Sequence, residues 1–253
     1  MIGQLSVLLG RLWRHSLRQP AVAYVLPAAM PLGLLVFITQ LYGAMVDGGG
    51  YPVDDMLDWM GPGIVFLAVC MGGGFTGSLL VTDAESGFLD RMRLLPIRRA
   101  TVVVACLLFE AIRIVPVGVV LYGAAGLLGL SLPSPLEMAV VLALAALWAA
   151  AWNAMFLLAS LRTQNAQLSL VLLPLFLPFF LGSTMMVPRH LLPGYVQALV
   201  SWNPLDRFVV AVRPFFLDGP ADASAITGAV LASTALLVVL GGLAHREYAR
   251  LSG

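Results

Sequence analysis

Six long apolar stretches, near 22–46, 60–82, 101–130, 138–160, 166–187 and 223–244, take up most of this 253-residue chain. A helix needs about 20 apolar residues to cross a bilayer. Inside lipid a helix satisfies nearly all of its own backbone hydrogen bonds. The expected fold class is therefore all-α integral membrane, with six transmembrane helices in a single transmembrane domain over 1–253. Composition agrees: 60% of residues are hydrophobic and 11% charged, against about 25% charged in soluble domains. Pro27 and Pro31 in the first stretch, Pro116 in the third, and Pro174 and Pro178 in the fifth predict kinks. The third stretch is overlong and is expected to tilt or to begin outside the lipid. Arg11, Arg14 and Arg18 precede a long apolar run without a small-residue cleavage site, so no cleavable leader is expected.

Arginine placement sets the orientation. The N-terminal segment carries Arg11, Arg14 and Arg18; the second loop Arg91, Arg93, Arg98 and Arg99; the fourth loop Arg162; the C-terminal tail Arg246 and Arg250. The first loop has no arginine but holds Asp47, Asp54, Asp55 and Asp58, and only the long fifth loop opposes the trend, with Arg189, Arg207 and Arg213. Both termini are expected on the cytoplasmic side of a bacterial cytoplasmic membrane.

All 14 basic residues are arginine. A phosphate-gripping P-loop ends in Gly-Lys-Ser/Thr, so the chain has no such ATP-binding motif of its own. Cys70 and Cys106 lie in apolar runs and read as buried hydrophobes. His15, His190 and His245 fall outside the spans, and no His-Glu-x-x-His motif occurs. No catalytic residue, metal-ligand set or nucleic-acid-binding feature is expected. An intramembrane enzyme would need a nucleophile and base, or metal ligands, at membrane depth. A channel or scaffold without an energy source remains compatible with composition.

Three segments outside the spans carry information. Residues 1–20 predict an amphipathic helix: Leu5, Leu8, Leu9, Leu12, Trp13 and Leu17 share one arc, and Arg11, Arg14, His15 and Arg18 the other. Such a helix lies in the membrane interface with its arginines toward lipid phosphates, as an anchor or as a lever contacting a cytoplasmic partner. In the second loop, Phe88, Leu89, Met92 and Leu95 make a short apolar face that Pro96 ends. That loop is either a basic topogenic segment or a helix that docks into a soluble protein. In the fifth loop, 188–222, two apolar clusters too short to span flank Ser201-Trp202-Asn203-Pro204. They predict an external re-entrant helix pair broken at Asn203 and Pro204, or an ordinary surface loop with amphipathic helices.

Polar residues within the spans need partners. Glu110 and Arg113 are three apart and so share a helix face; they predict an ion pair, structural or lining a cavity. Asn153 is expected to hydrogen-bond another helix. Gly72, Gly73, Gly74, Gly77 and Ser78 predict close helix packing, or a hinge. Phe176, Phe179, Phe180, Met185 and Met186 are filler, or line an adaptable apolar route.

The second loop reads Asp83-Ala84-Glu85-Ser86-Gly87-Phe88-Leu89-Asp90-Arg91-Met92-Arg93-Leu94-Leu95-Pro96-Ile97-Arg98-Arg99. It resembles the signature of type-2 ATP-binding-cassette (ABC) exporter permeases, of the daunorubicin-resistance kind, at Asp83, Glu85, Gly87, Leu89, Asp90, Arg91, Arg93, Pro96 and Arg99. Phe88 stands where threonine is common in that family. The resemblance extends over the interfacial helix, six spans, cytoplasmic termini and the external helix pair. It implies a coupling helix over 83–99 that inserts into a separate ABC ATPase subunit. It further implies a second permease subunit, identical or a sister chain, and an amphiphilic drug-like or lipid substrate. ATP and magnesium would reside on the ATPase, leaving this chain without a cofactor.

Overall fold

The computed structural model describes residues 2–46, 50–87, 99–165, 174 and 176–251, and every regular element among them is helical. Helix α1 (Ile2–Arg18) is followed by a π-helical turn, Ala21–Val25, that continues into α2 (Leu26–Met45). Next come α3 (Met56–Met60), a 3-10 turn at Gly61–Gly63, α4 (Ile64–Met71) and α5 (Phe75–Glu85). Two long helices follow, α6 (Arg99–Leu127) and α7 (Pro135–Thr163). The remainder comprises α8 (Phe176–Leu181), α9 (Gly194–Trp202), α10 (Pro204–Phe216) and α11 (Ala223–Leu251).

Among the described residues, five segments are long and apolar enough to cross a membrane: Ala21–Gly43, Met56–Glu85, Arg99–Leu127, Pro135–Thr163 and Ala223–Arg250. They coincide with five of the six stretches read from the sequence. Most of the remaining one, 166–187, lies outside the described residues. Its described end is α8, which stops at Leu181 and gives way to turns rather than staying helical to 187.

Local signals explain several boundaries. Ser134 and Glu137 form a reciprocal capping box at the start of α7, with Pro135 at the first helical position. The Asp55 carboxylate accepts the Leu57 amide to open α3, and Asn203 does the same for Leu205 at α10.

Burial ranks the spans. Within its most apolar window, the Met56–Glu85 segment is 83% buried, against 28% for Ala21–Gly43 and 17% for Ala223–Arg250. The broken segment α3–α5 therefore runs through the middle of the packing, while α2 and α11 keep broad apolar faces outward. Trp148, Trp152 and Phe156 recur every four residues on α7 and form an aromatic spine. Trp148 stands 5.3 Å from Phe208 of α10, itself 4.9 Å from Phe66 of α4. A second cluster joins Leu8 and Leu12 of α1 to Leu79 and Leu80 of α5 and Val102 and Val103 of α6. Gly77 lets α5 approach α7 closely: a Cβ there would stand 2.5 Å from Ser160 Oγ. Cys70 and Cys106 are free thiols buried in these cores.

Candidate functional site

The central span is interrupted between α4 and α5 at Gly72–Gly74, where Gly74 takes φ +94°. A continuous helix would bond the Gly74 amide to the Cys70 carbonyl and the Thr76 amide to the Gly72 carbonyl. Neighbouring helices replace both rungs. The Gly74 amide donates to Asn153 Oδ1 at 3.0 Å, and the preceding residue, Trp152, donates its Nε1–H to the Cys70 carbonyl at 3.3 Å. The Thr76 amide donates to Glu110 Oε1 at 3.1 Å, and Arg113 Nη2 donates to the Gly72 carbonyl at 3.2 Å. Each lost bond is thus exchanged for one donor and one acceptor from a single neighbouring helix.

Arg113 and Glu110 also pair with each other, Nη2 to Oε2 at 2.6 Å and Nε to Oε2 at 2.9 Å. They are only 3% and 1% exposed. A buried ion pair offsets its desolvation only when the remaining polar atoms also find partners, and the break supplies them. Arg113 Nη1 donates to the Ala23 carbonyl in the π-helical turn. Pro27, four residues on, has no N–H to give that carbonyl. The guanidinium thereby joins two irregular backbones in different spans.

From the break, α5 runs to the stems of the basic loop. Asp83, 5% exposed, accepts Arg11 of α1 through both carboxylate oxygens, with Nη1 to Oδ2 at 2.7 Å. Glu85 is exposed, and Gly87 takes φ +68°, a left-handed conformation that favours glycine just past a helix end. On the far side, Arg99 Nη1 donates to the Ala249 carbonyl near the end of α11 at 2.9 Å. Arg162 lies 3.9 Å from Glu247 at the same end. One stem of the loop is thus bonded to the first helix of the chain and the other to the last.

At the opposite end, Asn203 Nδ2 donates to the carbonyls of Phe179 at 2.6 Å and Gly182 at 2.7 Å. The cap of α10 thus takes up the carbonyl of Phe179 in the last turn of α8 and that of Gly182 just beyond its end. Asp206 Oδ1 accepts the amide and hydroxyl of Thr184 at 2.6 and 2.7 Å. Arg213 Nη2 donates to the Thr184 carbonyl at 2.8 Å, and its guanidinium lies 3.6 Å from the centre of the Trp59 ring. Burial raises the Asp206 carboxyl above its ordinary range, against the opposing hydrogen bonds from Thr184 and the charges of Arg213 and Arg189. Burial likewise pulls Arg213 down to about 10, against the attraction of Asp206.

The structure brings together the expected Glu110, Arg113 and Asn153, but at a backbone break rather than around a cavity. It modifies the reading of α1. Leu8, Leu12 and Ser16 face protein, Leu17 is exposed, and Arg11 turns to Asp83 rather than standing with Arg14 and Arg18 on the exposed side. Trp13 meets Tyr24 and Phe109 edge-on at 6.3 and 6.2 Å. Helix α9 ends at Trp202 and α10 begins at Pro204, with Asn203 between them. Phe88, Leu89, Asp90, Arg91, Arg93 and Pro96 lie outside the described residues. Sequence reasoning treated Arg213 as a loop arginine and passed over Thr184, Asp206 and Trp59. Its one available signal was the i, i+7 spacing of Asp206 and Arg213 on an apolar helical face.

The family model for ABC-2 type transporters matches residues 3–217. The chain is similar to daunorubicin resistance ABC transporter permease protein DrrB1 of Streptomyces coeruleorubidus, 27% identical over 96% of this chain and 86% of the relative. It is similar to the probable doxorubicin resistance ABC transporter permease protein DrrC of Mycobacterium tuberculosis, 26% identical over 78% of this chain and 70% of the relative. It is also similar to the putative transport permease ycf38 of Cyanophora paradoxa, 26% identical over 84% and 73%.

Proposed function

The chain belongs to the ABC-2 type transporter family, and from that premise we propose that it is the membrane subunit of an ATP-driven exporter for an amphiphilic drug-like or lipid substrate. Six spans, counting 166–187, pair with those of a second permease subunit. Both termini and residues 83–99 face the cytoplasm, where a separate ABC ATPase binds ATP and magnesium. The chain performs no covalent chemistry. Its contribution is a difference in affinity for cargo between two arrangements of the spans.

The observation that carries this reading is the bonding of the loop stems. Asp83 is held by Arg11 and Arg99 by the Ala249 carbonyl, so a pull on the loop reaches α1, α5, α6 and α11 together. The broken rungs at Gly72–Gly74 give α5 a place to swing relative to α4. The splints limit that swing, because each must let go of a backbone group that would otherwise be left unbonded. Closure of the ATPases would draw the loop inward, and α5 would pivot at the break to change access to the path. The external pair α9 and α10, tied to α8 through Asn203, closes the outer mouth.

The test is co-purification of this chain with its ABC ATPase subunit. Wild type retains the ATPase and shows cargo-stimulated ATP hydrolysis, and both Glu85→Ala and Gly87→Pro weaken the stimulation. Unaltered assembly and stimulation in both variants would refute the coupling role.

A further inference from the structure

Of the three arginines that break the basic-inside pattern, Arg213 is buried against Trp59, while Arg189 and Arg207 border one cavity at the end opposite the loop stems. That cavity, of about 240 Å³, is lined by Arg189, Ser201, Asp206, Arg207, Val210 and the first turns of α11. Arg189 and Arg207 are exposed. The Arg207 guanidinium lies across the start of α11, with Nη1 3.5 Å from where a Cβ on Gly228 would stand. One carboxylate, Asp206, shares the wall. Its Oδ1 is already occupied by the Thr184 amide and hydroxyl, and its charge faces both Arg213 and Arg189. Two guanidiniums, Arg189 and Arg207, against one carboxylate leave the cavity basic. Asp222 lies close in sequence, but its Oδ1 caps α11 through Ser224 and Ala225.

We propose that this cavity binds a phosphate group. A guanidinium presents its donors in a planar fork that matches phosphate oxygens two at a time, and two forks border one opening. Val200 and Val210 supply an apolar side to the same cavity, so a phosphate carried on an apolar tail fits as well as a free one. The site needs neither nucleotide nor an ATPase. On the topology proposed above it faces outward, where the sources are lipid headgroups of the outer leaflet or soluble phosphate. Ordering the junction of α10 and α11 is the consequence of occupancy, since Arg207 belongs to α10 and the cavity floor to α11.

The full-length chain, purified in detergent without any ATPase, is titrated with phosphatidylglycerol under native mass spectrometry, and separately with radiolabelled orthophosphate in an equilibrium binding assay. Wild type binds at least one of the two, and the probe bound identifies the source. Arg207→Gln weakens that binding roughly tenfold, and Arg189→Gln combined with Arg207→Gln weakens it further. Arg207 is exposed, so the single variant decides the matter if the double variant does not elute like wild type. Failure of both probes to bind wild type, or equal binding by wild type and Arg207→Gln, overturns the proposal. Since neither assay involves transport or ATP hydrolysis, such a failure would leave the exporter reading untouched.

Discussion

Asn153 accepts the Gly74 amide at 3.0 Å, in the place a continuous helix would give to the Cys70 carbonyl. That carbonyl is served instead by Trp152, so adjacent residues of α7 bridge both halves of a broken rung in the central span. Asn153→Ala leaves the buried amide without a partner and should lower stability by about 1–3 kcal/mol. Asn153→Asp keeps an acceptor but buries a charge and loses the donor to the Ala149 carbonyl, and should cost at least as much. Thermal unfolding in detergent checks both.

Arg113 holds two irregular backbones at once, and its removal leaves Glu110 buried without a counter-charge. Arg113→Met should destabilise by about 3–5 kcal/mol. Pro27→Ala supplies an N–H four residues beyond Ala23 and should recover part of that loss in the double variant, while doing little alone. Equal losses with and without Pro27→Ala would show that the Ala23 contact contributes nothing.

The Arg11–Asp83 pair predicts a separation of assembly from coupling. The Arg11 side chain is 32% exposed but that of Asp83 only 7%, so Arg11→Gln, which keeps a donor but removes the charge, should cost about 1–3 kcal/mol of stability. Transport in proteoliposomes should fall more steeply than ATPase retention, because α1 no longer follows α5. The charge exchange, Arg11→Asp with Asp83→Arg, should restore transport above either single variant.

Asp206 predicts a pH dependence. Its folded carboxyl titrates above the ordinary 3.8 because of burial, so the folded state binds the proton more tightly than the unfolded state. The associated stability is fully present below the ordinary value and is lost as pH rises through the raised one. Asp206→Asn retains an acceptor for Thr184 and should flatten that part of the stability–pH curve.

The apolar stretches made five spans legible, because hydropathy over about 20 residues reports a whole helix whatever surrounds it. Glu110, Arg113 and Asn153 were legible as polar residues in need of partners. Their actual partners, the backbone of Gly72, Gly74 and Thr76, were not. A triple glycine signals close packing and a hinge alike, and only the three-dimensional approach of α6 and α7 separates the two. Arg11 was hidden for a related reason. Helical periodicity placed it with Arg14 and Arg18, but Asp83, 72 residues away in the chain, claims it. Arg213 was missed because an arginine in a loop reads as solvated until Trp59 is seen lying against it.

The most direct test of the account uses a single cysteine in place of Glu85, since the native Cys70 and Cys106 are both buried. The chain is assembled with its ABC ATPase in membrane vesicles, and cross-linking between the two subunits is measured with and without ATP and magnesium. The account predicts a cysteine at 85 that is reached by reagents from the cytoplasmic side, forms an adduct with the ATPase, and changes in yield with nucleotide. A cysteine at 85 labelled only from the outer face, or transport sustained by the purified chain with no ATPase present, would contradict it.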